Sequence, residues 1–360
     1  YYCIIEAASS LESPEAFSER QYQVGCTLYQ SLDEIDLEAS LFIVVNLLNK
    51  ARIISPSSPS LYKLNLRAAK KAKGLSSFDL QAFYAETGIS YLPNDSWTND
   101  KETTLELYTI RAEASSYQGD FDTMKRYCTE VLSKDHCTLV EKIPCYEVWM
   151  DSLARSGKMK EAVDLGIVVL KKLGCKLGQS RVSQSMAVVL AFTRFKREYR
   201  KLIPTLKQVE MMPLMSDPVA KCSMKILFQV SWLALYVRNQ VVMQLAILRM
   251  LYLTLEFGLA ETSPAGVGLG GLLIMHGLGD WKTAMHTAEV SRLMQHRLEG
   301  HFYQPCTNLV SLCVDGWTHP VQSQMRYMME GYTLGIGAGN TDWSFYNILF
   351  FIAVPLLNGR

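Results

Sequence analysis

Charge of one sign, long apolar runs, metal-ligand spacings and paired cysteines are all scarce in this 360-residue chain. The 36 Lys and Arg residues nearly balance 35 Asp and Glu, leaving a net charge of +1. No surface field therefore argues for nucleic acid or an anionic membrane as a partner. No apolar stretch reaches the roughly 20 residues of a membrane span. The run at 226–237 stops at Arg238-Asn239-Gln240, that at 265–278 is broken by glycines and His276, and that at 345–357 is short. All three read as buried helices. The six histidines form no H-x-x-x-H or H-E-x-x-H pair, so the spacing of a helix-borne zinc site is missing. His286 and Glu289 share a helix face but read as a solvated pair. The nine cysteines include no C-x-x-C and no paired framework. In a chain this long, that pattern points to buried thiols in a reducing, cytoplasmic compartment, with a few incidental disulfides as the alternative. Alternating β-branched runs are also lacking, which argues against strands.

What the chain does have is a helix corner that recurs. In GKMKEAVDLGIVVL, from Gly157 to Leu170, a glycine is followed by polar residues and then an apolar stripe at helical spacing. Weaker copies stand at Gly119-Asp120, Gly279-Asp280 and Gly339. Glycine can take the left-handed conformation that ends one helix. Asp120 or Asp280 can then accept from the free N–H groups that open the next. A small residue one turn on, such as Ala162, lets the two helices approach. Gly119 and Gly157 are about 40 residues apart, and Gly279 follows after about three more such steps, longer than the roughly 34 of a regular tetratricopeptide repeat. The helix before Gly157 is expected to open at Pro144, a residue suited to a first turn. Short breaks are expected at Ser55–Ser60, at Pro93-Asn94-Asp95-Ser96, and from Met212-Pro213 to Asp217-Pro218.

Two stretches imitate chemistry. Residues 266–271, GVGLGG, satisfy G-x-G-x-x-G, but a dinucleotide site needs a preceding strand, and 251–259 reads as helix. The competing reading is a hairpin helix of small residues that ends at Gly277-Leu278-Gly279. The basic run from Arg194 to Lys201 mixes aromatics with charge. It can be an RNA-binding strip or an exposed face with Phe195 and Tyr199 turned inward. Trp232, Tyr236 and Trp281 read as packing residues.

With the corners placed, the order of apolar motifs becomes recognisable. Leu41-Phe42-Ile43-Val44-Val45-Asn46-Leu47-Leu48-Asn49 and Leu64-Asn65-Leu66 come first, then Leu105-Glu106-Leu107-Tyr108 and Gly119-Asp120-Phe121. Tyr146-Glu147-Val148, Glu161-Ala162 and Leu214-Met215-Ser216-Asp217-Pro218 follow, and Leu278-Gly279-Asp280, Trp317…Pro320 and Glu330-Gly331-Tyr332 close the series. This order resembles the helical-repeat region of large multidomain sensor kinases. In that family a Ser/Thr-kinase-like domain and an AAA-type signal-transduction ATPase come first, and GAF and histidine-kinase modules follow. Gly178, where the family often has proline, and the glycine-rich 266–271 stretch depart from the pattern.

The expected fold is all-α, an irregular tetratricopeptide-like α-solenoid of antiparallel helix pairs. Residues 1–40, whose Tyr1–Ile5 already read as mid-helix, resemble the helical end of an upstream ATPase-associated module, and 41–360 the array, continuing beyond both ends. The resemblance implies a non-catalytic segment that couples the ATPase to kinase output. Its partners would be the modules on either side in the same polypeptide, with a protein or peptide ligand as a further expectation on the concave face. It implies ATP only in the full-length protein and no cofactor, metal or catalytic residue in this stretch. A free-standing peptide-binding scaffold is the alternative, and a nucleotide-binding enzyme using 266–271 a third.

Overall fold

A computed structural model describes residues 13–50, 60–177, 184–317 and 319–357. The expectations for Tyr1–Ile5, for most of the 55–60 linker and for Gly178 lie outside these residues. Among the described residues the chain forms eighteen helices and no strand. The fold is all-α. Contacts divide it into two compact units, Tyr1–Lys73 with Ser77–Tyr127, and Cys128–Arg360 with Gly74–Ser76.

The first unit begins with α1 (Pro14–Ser31), α2 (Glu34–Leu48), α3 (Leu61–Gly74) and α4 (Phe78–Ser90). The one-turn α5 (Ser96–Asn99), α6 (Lys101–Tyr117) and α7 (Phe121–Leu132) follow, and the division between units falls within α7. Asp33 opens α2 by accepting from Asp36 N at 2.8 Å. Residue 40 lies inside this helix, whose Leu37, Leu41, Val44 and Leu48 are buried as one stripe. The buried Asn65 of α3 exchanges amide hydrogen bonds of 3.0 and 2.8 Å with Asn49.

The second unit runs α8 (Leu139–Arg155), α9 (Met159–Lys172), α10 (Gln184–Leu202), α11 (Leu206–Met211), α12 (Pro218–Tyr236) and α13 (Gln240–Phe257). It continues with α14 (Ser263–Leu278), α15 (Trp281–His296), α16 (Gln304–Asp315), α17 (Val321–Gly337) and α18 (Thr341–Leu357). Neighbours pack as α8–α9, α12–α13, α14–α15 and α17–α18, and corners of two or three residues make these pairs antiparallel. Successive layers then stack: α9 on α12, α13 on α14, α14 on α16, and α16 on α18. Helices in proteins draw most of their stability from packing rather than from propensity, so burial of residues such as Val169, Leu170 and Ile226, at about 1.5–3 kcal/mol each, sustains these.

The expected start of α8 is wrong by five residues. Thr138 and Glu141 form a reciprocal capping box, so the helix opens at Leu139 and Pro144 lies inside it. The T-x-x-E signal overrides proline as the start. Of the apolar runs, 226–237 lies in α12, 265–278 in α14 and 345–357 in α18. Among the described residues one helix, α13 at Gln240–Phe257, is long and apolar enough to cross a membrane, and half of it is buried within the fold. No disulfide joins the eight described cysteines.

Candidate functional site

The corner residues come first. Gly119, Gly157, Gly279 and Gly339 all have positive φ, between 63 and 80°. Three of these corners close alike, with the next N–H reaching five residues back: Asp120 to Ser115 O (2.9 Å), Lys158 to Leu153 O (2.8 Å) and Asn340 to Gly335 O (2.8 Å). That bond satisfies a carbonyl the helix end would otherwise leave free. Asp120, Asp280 and Asn340 then accept from the N–H three residues on, at 3.0, 3.2 and 3.3 Å. Lys158 makes no side-chain cap, so the Gly157 corner relies on its backbone bond alone. The residue five after each glycine is buried: Met124, Ala162, Ala284 and Ser344.

A fifth corner of this type carries no glycine. Arg238 has φ +56°, Asn239 N reaches Ala234 O at 2.8 Å, and the Asn239 side chain caps Val242 N at 3.2 Å. The residues that interrupt the apolar run are therefore a corner between α12 and α13. Between the α8–α9 and α14–α15 pairs lie α10, the short α11 and the α12–α13 pair. α10 ends at Leu202, and Thr205 and Gln208 form a second capping box that opens α11.

Residues 266–271 lie in the body of α14, preceded by helix rather than strand, and their amides belong to a helical ladder. Each glycine admits a different neighbour. A Cβ on Gly266 would fall 2.7 Å from Met250 Cε, on Gly268 2.9 Å from Val310 Cγ1, on Gly270 2.0 Å from Tyr199 Cε2, and on Gly271 2.2 Å from Thr287 Oγ1. Side chains from α13, α16, α10 and α15 thus stand against α14 at its glycines, and the space a phosphate would need is filled by them. The basic run resolves in the same place. Phe195 and Tyr199 are fully buried, their rings stacked at 5.0 Å, and the Tyr199 hydroxyl donates to Val267 O. These rings are not available to stack on bases.

Asp280 does more than cap. It accepts from Thr283 Oγ1 at 2.7 Å and from Arg200 Nε at 2.8 Å, tying the end of α10 to the α14–α15 corner. Burial raises its pKa, but the Thr283 and Arg200 bonds outweigh that and hold the carboxyl below its ordinary range. A depressed carboxylate stabilises the fold above its unfolded pKa, near 4, and that contribution disappears as pH falls through the folded value. Urea midpoints measured from pH 7 to pH 2.5 are expected to fall below about pH 4. Asp280→Asn should start from a lower midpoint at pH 7 and decline less steeply. A variant that tracks the wild type at every pH would remove Asp280 from the account.

In the first unit a polar cluster joins α4, α6 and α7. Glu86 accepts from Tyr127 Oη at 2.7 Å and Arg111 Nε at 2.6 Å, and the Arg111 guanidinium lies over the Tyr127 ring at 5.3 Å. Burial, then the Glu86 hydrogen bond, pushes the Tyr127 phenol up to about 12, too high to act as a base or nucleophile at neutral pH. The cluster is a three-helix tie. An open cleft of ≈ 540 Å³ between α2 and α3 is lined by charges that answer one another: Arg67 binds Glu34 at 2.6 Å and Glu38 through Nε at 2.8 Å. Among the described residues no three His, Cys, Asp or Glu side chains converge as metal ligands would.

What remains is surface. Trp281, expected in packing, is 41% exposed and meets the 67%-exposed Trp317 edge to face at 5.7 Å. It stands at the first helical position after the Asp280 cap; Tyr236, 44% exposed, packs edge to face on the half-buried Trp232 at 4.9 Å. Helix α18 presents Phe345, Leu349, Ile352 and Leu356 outward. No family model matches this chain, and no curated protein matches it.

Proposed function

We propose that this chain is a non-catalytic coupling array, linking an upstream AAA-type ATPase to downstream kinase output modules of the same polypeptide. ATP would be bound by the ATPase module, outside this stretch. The particular modules come from the ordered motifs between Leu41 and Tyr332, which resemble that family's helical region. The observation that supports coupling is the seating of α14. Side chains of four helices stand against it at its glycines, so a displacement of Tyr199 on α10 bears directly on α14, which in turn packs on α16. Stacked helix pairs accumulate such shifts from one interface to the next. A cytoplasmic setting fits the cysteines, which form no disulfide among the described residues.

The test is excision of residues 139–357 from the full-length polypeptide, with nucleotide turnover and downstream phosphorylation both measured. Phosphorylation is expected to stop following turnover. If both continue unchanged, the coupling role is wrong. A free-standing peptide-binding scaffold is the second reading, favoured by the exposed Trp281–Trp317 pair. A full-length reading frame without an ATPase module would install it instead.

A further inference from the structure

Two thiols meet where α7 faces α8. Cys128 belongs to the buried stripe of α7 with Met124, Tyr127 and Val131, and Cys145 to that of α8 with Val148 and Ser152. Both are free cysteines and both are fully buried. The Cys128 thiol donates to the Cys145 carbonyl at 3.6 Å and also shares a hydrogen bond with the Cys145 side chain. Two sulfurs 17 residues apart in the chain, on different helices, are thus already neighbours. That proximity is the condition most disulfide pairings fail to meet. Cys306 and Cys313, by contrast, stand on one helix, α16, about 10 Å apart by its rise and beyond bridging distance. Cys175 has the Arg249 guanidinium as its partner.

We infer that Cys128 and Cys145 are a reversible oxidation site, which a hydroperoxide converts into a disulfide tying α7 to α8. The steps balance within the pair and one peroxide. A thiolate attacks a peroxide oxygen, the O–O bond breaks, and a sulfenic acid and water result. The neighbouring thiol attacks that sulfur and expels its hydroxyl as a second water, closing the S–S bond. Two thiols are oxidised, one peroxide is reduced, and a dithiol reverses the product by exchange. The Cys145 hydrogen bond, then burial, push the Cys128 thiol well above its ordinary range, so the closed packing holds no standing nucleophile. Reaction waits for local opening between α7 and α8. Burial therefore sets the rate and adjacency sets the product: once one sulfur is oxidised, its neighbour captures it ahead of a second peroxide. A site built this way answers sustained rather than brief oxidation. Nothing in it depends on the coupling role.

The test exposes the whole chain to about 1 mM hydrogen peroxide for several hours, then alkylates the remaining thiols and maps tryptic peptides without reduction. Trypsin places Cys128 in Tyr127–Lys134 and Cys145 in Ile143–Arg155, separate from Cys137. These two peptides joined, lighter by two hydrogens than their sum, are expected to exceed every other linkage about ten-fold. Dithiothreitol should return both thiols. Cys145→Ala should abolish the linkage and leave Cys128 to be carried on to sulfinic acid, which dithiothreitol does not reverse. The wild-type map decides by itself, so a variant that fails to fold does not blunt the test. Linkages spread over the nine cysteines would overturn the inference, because that is the product of an unfolded chain. A pair still reduced when the half-buried Cys26 and Cys222 have been oxidised would overturn it too. So would a chain whose thiols all survive the exposure.

Discussion

Gly270→Ala should lower the stability of the second unit by about 4 kcal/mol, the largest effect expected of any single methyl group in this chain. The added Cβ would lie 2.0 Å from Tyr199 Cε2, 2.3 Å from Cζ and 2.5 Å from Oη. Flexible chain ends can yield to such a contact, but this ring cannot. Tyr199 is fully buried, Phe195 stacks on it at 5.0 Å, and its hydroxyl is held by Val267 O. To admit the methyl, the ring must leave its site, which adds a broken buried hydrogen bond to the strain of overpacking. Urea denaturation of the variant measures the loss. Tyr199→Leu, destabilising by itself, should relieve part of it when combined with Gly270→Ala, giving a favourable coupling above about 1 kcal/mol in the double-mutant cycle. A Gly270→Ala variant within about 1 kcal/mol of the wild type would mean that α10 and α14 are not seated as described.

Gly258→Ala is expected to cost about 3 kcal/mol, for a different reason that no second substitution can relieve. Gly258 has φ +99° and ψ −169°, a region that essentially only glycine occupies. Its Cβ would also meet Pro213 O at 2.3 Å. That carbonyl is fixed because it accepts from Leu259 N at 2.8 Å, while Met215 N donates to Leu259 O at 2.8 Å. These two bonds make the isolated Leu214–Leu259 bridge, which fastens the segment after α11 to the end of α13. The obstacle is backbone on both sides, so the strain has no side-chain outlet. A loss of about 10 °C in thermal midpoint follows for a unit of this size. A shift below about 2 °C would show that the turn relaxes freely.

These two glycines illustrate what could be read from the sequence. The pattern G-x-G-x-x-G names no chemistry by itself; whether it holds a phosphate or a neighbouring helix depends on what precedes it, and 251–259 already read as helix. Which helix each glycine admits could not be read, because Tyr199 lies far back along the chain. The Gly-Asp corners were legible because both residues have local work, one at positive φ and one as a cap. Arg238-Asn239 was not, since arginine in the left-handed conformation leaves no signal; the signal that was there is Asn239, a good cap ahead of an apolar helix. The start of α8 was misread because Pro144 outweighed the T-x-x-E of Thr138–Glu141. Trp281 was misread because aromatic residues near a corner are usually packed, and only the three-dimensional position of Trp317 reveals an exposed pair.

The glycines of α14 also bear on the order in which the chain acquires structure. Five of its sixteen residues are glycine, each weakening an isolated helix by about 1 kcal/mol relative to alanine. Alone in the collapsing chain, α14 has almost no tendency to form. Most helices of a repeat array can nucleate locally and recruit the next in line. This one must wait for α10, α13, α15 and α16, whose residues arrive from both sides of it in the chain. Pulse-labelled hydrogen exchange during refolding is therefore expected to protect α14 no earlier than α10, α13, α15 and α16.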